Sequence, residues 1–340
     1  MHLLILGGSG FIGPAVVVPL VAAGHRVTLF HRGWSEENAP AGVQHVHGDR
    51  ARLAEHAAEL RRLGPDVVVD MRPLVERDAE AVVAAFRGAA GRLVVVSSGD
   101  VYRAYGRLHG SEPGPPEPLP LTEDAPLREQ RYPYRGPAPR PPDDPSRWVD
   151  DYDKILVERA ARSAPDLPAT VLRLPMVYGP RDEQHRLAAY LRRMDDGRPA
   201  IILDEGLRGW RTTRGYVDNV GAAIALAATS EQAAGRTYNV GEADASTEVE
   251  WVQAIAAAVG WGGRIVMLPT ERLPDHLRFP GSLEQSLVLD TTRLRREFGY
   301  AERVSRADAL ARTIAWERAH PPPGPDRRAE EYAAEDAALR

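Results

Sequence analysis

Three glycines impose the tightest constraint on how this chain can fold. Gly7, Gly10 and Gly13 are spaced by three, directly after the apolar run HLLIL and ahead of an apolar stretch that closes at Gly24. A turn that tight needs residues without Cβ, and a strand entering a helix through it presents free N–H groups and the positive end of the helix dipole. That arrangement suits a dinucleotide pyrophosphate, with Phe11 and Ile12 carried in the same turn. Gly24 is a natural helix C-terminal glycine, whereas Pro19 falls inside the helix and is expected to disturb it.

The pattern then repeats. RVTLF ends at His31-Arg32-Gly33, VQHVH ends at Gly48-Asp49-Arg50, DVVVD occupies 66–70 and RLVVVSS 92–98, with Ala-rich helical stretches between, one at about 77–87. β-branched runs alternating with helices predict an α/β fold, a doubly wound parallel Rossmann sheet covered on both faces. Residues 103–146 interrupt the rhythm with twelve prolines. A loop this long is expected to be disordered or to serve as a lid or binding loop. Beyond it come a helix near 150–163, the strand ATVLRLP (169–175), the short strand AIIL (200–203), a helix near 218–229 and the strand TYNVG (237–241). Thr247 and Glu250 form a capping box for a helix ending at Gly260, with Trp251, Ile255 and Val259 as its core stripe. Residues 288–318 read as a strand and two helices. The expected division is a Rossmann domain over 1–178, rejoined by about 211–244. A smaller C-terminal substrate-binding lobe takes 179–210 and 245–320, and 321–340 form a peripheral tail.

The end of the second strand bears on which dinucleotide is bound. An NAD enzyme commonly places an acid there for the ribose 2′-hydroxyl, whereas a 2′-phosphate wants cations. His31 and Arg32 occupy the place, with no acid before Glu36. NADP(H) is favoured and NAD(H) remains possible. Composition narrows the rest. A length of 340 residues suits two domains or one large domain with a lobe, and a net charge of −5 without a basic cluster argues against nucleic acid and acidic membranes. The absence of cysteine excludes disulfides, thiol nucleophiles and thiolate metal sites, and it fits a reducing compartment. No apolar run is long enough for a membrane helix, no signal peptide is read at the start, and no metal site is expected. A cytoplasmic enzyme with a small-molecule substrate is the resulting expectation. One count stands out: of 43 basic residues only Lys154 is lysine. A lone lysine suggests a place where a compact ammonium works and a guanidinium fork does not.

Several stretches together resemble the extended short-chain dehydrogenase/reductase family of NAD-dependent epimerases and dehydratases. They are GGSGFIG, GDR (48–50), VVVSSGDVY (94–102), Lys154 with Glu158, LRLPMVYGPR (172–181), YVDNV (216–220), YNVGE (238–242) and LDTTRLRREFGY with AWE near the end, all in the family's order. The resemblance implies that Asp49 reaches the adenine, that Ser98 is the active-site serine and that Lys154 holds the nicotinamide ribose. It implies substrate contacts near Tyr102, Tyr178 and Arg181, and members often form homodimers. Two departures stand out. The family's proton-shuttling tyrosine lies four residues before the lysine, where this chain has Asp150. Tyr152 lies only two before, roughly 200° round a regular helix, so it cannot share a face with Lys154 unless the helix starts irregularly. Three outcomes stay open: an irregular start delivers Tyr152; Asp150 or a tyrosine of the 103–146 segment replaces it; or oxidoreduction is lost. On the substrate side, Met176 replaces the usual asparagine, and Arg211 and Arg214 flank the expected arginine position. His185 follows at the mouth, where a lone histidine is more often structural than catalytic. The function expected is NAD(P)-dependent epimerisation, reduction or dehydration at a hydroxyl or carbonyl of a polar, sugar-like or nucleotide-sugar substrate. The alternative is a catalytically silent NAD(P)-binding sensor or interaction protein.

Overall fold

The computed structural model describes residues 1–34 and 36–340. The first half lays down β1 (His2–Leu6), α1 (Gly13–Ala22), β2 (Arg26–His31), β3 (Gln44–His47), α2 (Leu53–Arg62), β4 (Val67–Asp70), α3 (Glu76–Phe86) and β5 (Arg92–Ser98). After α4 (Arg103–Leu108) and a long irregular stretch come α5 (Lys154–Ala161), β6 (Ala169–Leu174), β7 (Met176–Tyr178), α6 (Ala188–Asp195), β8 (Ala200–Asp204), β9 (Arg214–Tyr216), α7 (Val217–Thr229) and β10 (Thr237–Asn239). The chain ends with α8 (Glu248–Val259), β11 (Arg264–Leu268), α9 (Thr292–Phe298), α10 (Arg306–Ala319) and α11 (Arg328–Ala338).

Seven strands form one parallel sheet in the order β10-β6-β5-β4-β1-β2-β3. The order reverses between β1 and β4, so a crevice opens above their C-terminal ends, where open α/β sheets take their ligands. Alternation along β1 shows how the sequence builds two faces: Leu3 and Ile5 pack with α1 and α7, while Leu4 and Leu6 pack with α2, α3 and α5. The first of these cores continues through Leu191, Trp251, Ile255 and Leu310 into the C-terminal helices. There β8 and β11 make a separate two-stranded parallel sheet, and β7 pairs with β9. At Gly221, α7 comes so close to α1 that an added Cβ would stand 2.4 Å from the Ala15 carbonyl carbon.

Several local expectations hold. Helix α8 carries the Thr247–Glu250 capping box with left-handed Gly260 at its end, whereas the disturbance expected at Pro19 does not occur, since α1 runs continuously through it. Others are corrected. The helix expected from about 150 starts at Lys154, because residues 147–151 form a separate 3-10 turn. The strand expected near 288 is reduced to isolated bridges, Thr212 to Leu287 and Leu121 to Leu289. The proline-rich segment is packed down: Leu121 is buried with Tyr102, Ile155 and Leu289, and Arg103 donates to Glu117 at 2.6 Å. The tail is not peripheral. Glu335 of α11 is fully buried, bonded by Arg193 at 2.5 Å and His276 at 3.0 Å, and Ala338 and Leu339 cover Ile202, Leu268 and Leu273. Its charged sequence hid this because the pairing partners lie more than fifty residues away.

Candidate active site

The glycine turn sits at the mouth of the crevice. Gly7 has φ +83°, a conformation strained for other residues, and a Cβ at Gly13 would stand 2.2 Å from the Gly8 carbonyl oxygen. Gly10 differs: it is exposed and a Cβ there would meet nothing within 4 Å. The turn is therefore tight on its inner side and open on its outer side, with α1 beginning at Gly13, which fits a pyrophosphate. Phe11 and Ile12 are half-buried and packed against the main core.

At the end of β2, His31 and Arg32 part company. The His31 ring is buried; Nδ1 accepts from the Gly33 N–H at 3.0 Å, and Nε2 meets His45 Nδ1 at 2.8 Å. Burial, with His45 and His47 nearby, lowers its pKa, so it is neutral and does not present a cation to a phosphate. That corrects its expected role. Nor is it placed to ligate a metal with His45 and Glu36, because an unprotonated Nδ1 leaves the proton on Nε2. Arg32 is exposed and stacks on Trp34 at 3.8 Å. Exposed Asp49 caps the turn after β3, accepting from the Ala51 N–H at 2.9 Å.

At the end of β5 the structure gathers four groups. Ser98 is half-buried, and its Oγ accepts from the Asp100 N–H at 3.2 Å. Lys154 is buried, with Nζ donating to the carbonyls of Pro73 at 2.6 Å and Val96 at 3.0 Å. Burial lowers its pKa to about 8, against the pull of Asp100 and Asp70. Tyr152 points the same way, its ring centroid 5.9 Å from Nζ and its hydroxyl donating to Asp100 Oδ2 at 2.8 Å. The reason is Asp153, which caps α5 through a bond from the Ile155 N–H at 2.9 Å. Tyr152 is thus extended (φ −64°, ψ 122°), and the regular-helix angle to Lys154 does not apply. Helix α5 is held to the sheet by Glu158, which takes two bonds from Arg173, at 2.8 and 2.9 Å, and one from Ser97 at 2.6 Å.

The Tyr152 phenol is pushed well above its ordinary pKa by burial and by the Asp100 carboxylate, with only the nearby Ser98 hydroxyl pulling the other way. Asp100 itself is raised by burial, against bonds from Tyr152 and the charges of Arg128 and Lys154. Sequence reading missed Asp100, although an acid two residues beyond a strand-end serine was a visible signal. It also missed fully buried Arg128, which donates to the Asp100 carbonyl.

Other expected residues are not brought to this site. Asp150 is tied up by the side chain and N–H of Arg140. Tyr102 is fully buried, donating to Asn239 at 2.6 Å, and Tyr178 is in the core, donating to Glu242 at 2.9 Å. Arg214 is 3% exposed, paired with Glu248 and stacked on Trp251. All three are engaged by protein partners and are not free in this structure. Arg181 and Arg211 are exposed. The His185 ring is bonded to Glu317 at 2.7 Å and stacked on Trp316, a structural use.

Fold and site together define a nicotinamide-dinucleotide enzyme of the Rossmann type. The chain belongs to the NAD dependent epimerase/dehydratase family, whose pattern matches residues 3–135 and 150–241, passing over part of the proline-rich segment and ending before the C-terminal helices. It is 28% identical over 289 residues to a 2'-dehydrokanamycin reductase of Streptomyces kanamyceticus, covering 82% of this chain and 72% of that one. It is 28% identical over 354 residues to a dTDP-glucose 4,6-dehydratase of Streptomyces griseus, covering 94% of each. In fold it is similar to a UDP-glucose 4-epimerase of Thermotoga maritima, with TM-score 0.67, 22% identity and coverage of 94% and 99%. It is also similar to WbmG of Bordetella bronchiseptica in complex with NAD and UDP, with TM-score 0.68, 19% identity and coverage of 94% and 95%. Among the described residues no helix is long and apolar enough to cross a membrane.

Proposed function

We propose that the chain moves a hydride to or from a carbinol carbon of a polar, sugar-like substrate, free or nucleotide-linked, with NADP(H) as the favoured cofactor. Epimerisation, reduction and dehydration in this family share that hydride step, which the site residues are suited to perform. The observation that carries the reading is the convergence of Ser98, Tyr152 and Lys154 beside Asp100 at the C-terminal end of β5.

When bound, the nicotinamide supplies or takes the hydride. Gly7, Gly10 and Gly13 with the start of α1 would hold the pyrophosphate, flanked by Phe11 and Ile12. Arg32 would meet a 2′-phosphate and Asp49 the adenine. Lys154 would donate to the nicotinamide ribose, breaking its bonds to the Pro73 and Val96 carbonyls. Tyr152 gives or takes the hydroxyl proton, and Ser98 donates to the substrate oxygen. Arg181 and Arg211 are left to contact the substrate's polar or phosphate groups. The relatives' names, a dehydrokanamycin reductase and a dTDP-glucose dehydratase, support a sugar-like substrate. We place the protein in the cytoplasm, a reducing compartment that a chain without cysteine fits, and take it to be a homodimer, as the family resemblance implies.

The test mixes the protein and NADP+ or NAD+ with UDP-glucose and dTDP-glucose, and NADPH or NADH with free keto-sugars, following nicotinamide absorbance and sugar products together. Turnover is expected for one of these, falling at least about 100-fold in Tyr152→Phe while cofactor binding persists. Full turnover by Tyr152→Phe, or firm cofactor binding with no turnover of any sugar, refutes the reading.

A further inference from the structure

Once Ser98, Tyr152 and Lys154 have roles, a continuous set of polar groups behind them has none. Asp100 is 5% exposed and lies beneath the Tyr152 phenol. Its Oδ2 accepts from Tyr152 at 2.8 Å and from Tyr134 at 3.2 Å. The Tyr134 hydroxyl is in turn 3.0 Å from that of Tyr105. Tyr134 is 39% exposed, so the chain of hydroxyls reaches water. The other carboxylate oxygen, Oδ1, is buried without a partner, as is Nη2 of Arg128. A carboxylate kept only to hold two tyrosines in place would be expected to use both oxygens, because an unbonded buried acceptor is costly.

We propose that Asp100, Tyr134 and Tyr105 form a proton relay that exchanges the Tyr152 proton with solvent. The proposal rests on Tyr152 being the proton-transferring phenol. In carbonyl reduction, a hydride from the reduced nicotinamide forms the new C–H bond, the carbonyl π pair takes the Tyr152 proton, and the nicotinamide is left oxidised. The phenolate formed would be a second anion 2.8 Å from the Asp100 carboxylate unless a proton is delivered to it through Asp100. Asp100 takes the Tyr134 proton and passes it to Tyr152, and Tyr134 is reprotonated through Tyr105 from water. Alcohol oxidation runs the same steps in reverse. The charged and titratable groups that face Asp100 are Tyr152, Tyr134, Tyr105, Arg128 and Lys154.

The test uses the full chain with NADPH and phenanthrenequinone, a diketone that needs no sugar contacts, across pH and in light and heavy water. Asp100→Asn is expected to lower kcat at least about tenfold with the NADPH KM unchanged and to flatten the pH profile. In Asp100→Ala, added formate should restore part of the loss, and Tyr134→Phe should enlarge the solvent isotope effect. Unaltered pH profiles without formate rescue, alongside an inactive Tyr152→Phe, overturn the relay alone. A fully active Tyr152→Phe overturns the reading beneath it. If the quinone is not reduced, absorbance titration of the tyrosines decides. In Asp100→Asn one phenol should ionise at least about one pH unit lower than in the parent, and that phenol should vanish when Tyr152→Phe is added. If no phenol moves, the two groups do not share a proton and the relay falls.

Discussion

Lys154 offers a test that needs neither substrate nor cofactor. Its ammonium is buried between two carbonyls, with a pKa lowered from the ordinary 10.5 to about 8. A shift of that size, at about 1.4 kcal/mol per unit, means that the charged lysine costs the folded state roughly 3 kcal/mol. The sign follows from proton counts. Below about pH 8 folded and unfolded chains both carry the proton and the full cost is present. Between 8 and 10.5 only the unfolded chain carries it, so stability rises with pH and the cost disappears near the upper value. Lys154→Met removes the titration. It also leaves the Pro73 and Val96 carbonyls without donors, which costs about 1–3 kcal/mol each, so the net change at neutral pH is small. The difference between parent and variant should nonetheless swing by roughly 3 kcal/mol, in the parent's favour, between about pH 7 and about pH 10.5. Urea unfolding of both apo proteins across that range measures it, since every other titrating group is common to the two. Parallel stability curves would show that the lysine is not desolvated, and the case for a site that sacrifices stability for function would fail.

The remaining predictions are shorter. Lys154→Arg should fold yet lose most of its cofactor affinity, since a planar fork does not fit between the two carbonyls; unchanged NADPH binding by calorimetry would contradict this. Gly10→Ala should change stability by under about 1 kcal/mol but weaken NADPH binding, whereas Gly13→Ala should destabilise the apo protein by at least about 2 kcal/mol, read by thermal melting. NADPH should bind at least about tenfold tighter than NADH, about 1.4 kcal/mol, and Arg32→Ala should narrow that gap. Glu335→Ala should cost about 3 kcal/mol in urea unfolding, because it leaves the Arg193 guanidinium buried without its main partner.

The parts of this molecule that were legible in advance are those with a local cause. The glycine turn, the alternating strands, the Thr247–Glu250 cap and the Gly260 stop each depend on residues within a turn or two of one another, so their patterns survive in the sequence. What stayed hidden depends on partners far along the chain. Tyr102 and Tyr178 read as candidate substrate contacts because their motifs sit near the cleft. Their hydroxyls are claimed by Asn239 and Glu242, residues 137 and 64 positions away. Arg214 reads as a free cation until Glu248 comes against it. Tyr134 is one of the tyrosines of the 103–146 segment that the sequence offers as a proton-transfer group, but a stretch without period gives nothing to choose among them.

The tyrosine before Lys154 is the instructive case, because angular reasoning about it was sound and its premise was not. Position 152 cannot face the cofactor from within a helix that includes Lys154, and a helix spanning both was the expectation from the pattern. Asp153 removes the premise: an aspartate whose side chain bonds the Ile155 N–H ends the preceding chain and begins the helix at the lysine. The same carboxylate accepts from the Tyr132 N–H at 2.7 Å, and Arg135 donates to the Asp150 carbonyl at 2.8 Å. Those two bonds clamp the proline-rich segment onto residues 150–153, where Asp150 is held in turn by Arg140. Asp150 therefore serves as an anchor for the proline-rich segment. That segment brings Tyr134 to Asp100, and the cap it grips turns Tyr152 toward Lys154. The aspartate that reads in the sequence as a missing tyrosine is, in the structure, the point where that segment is attached.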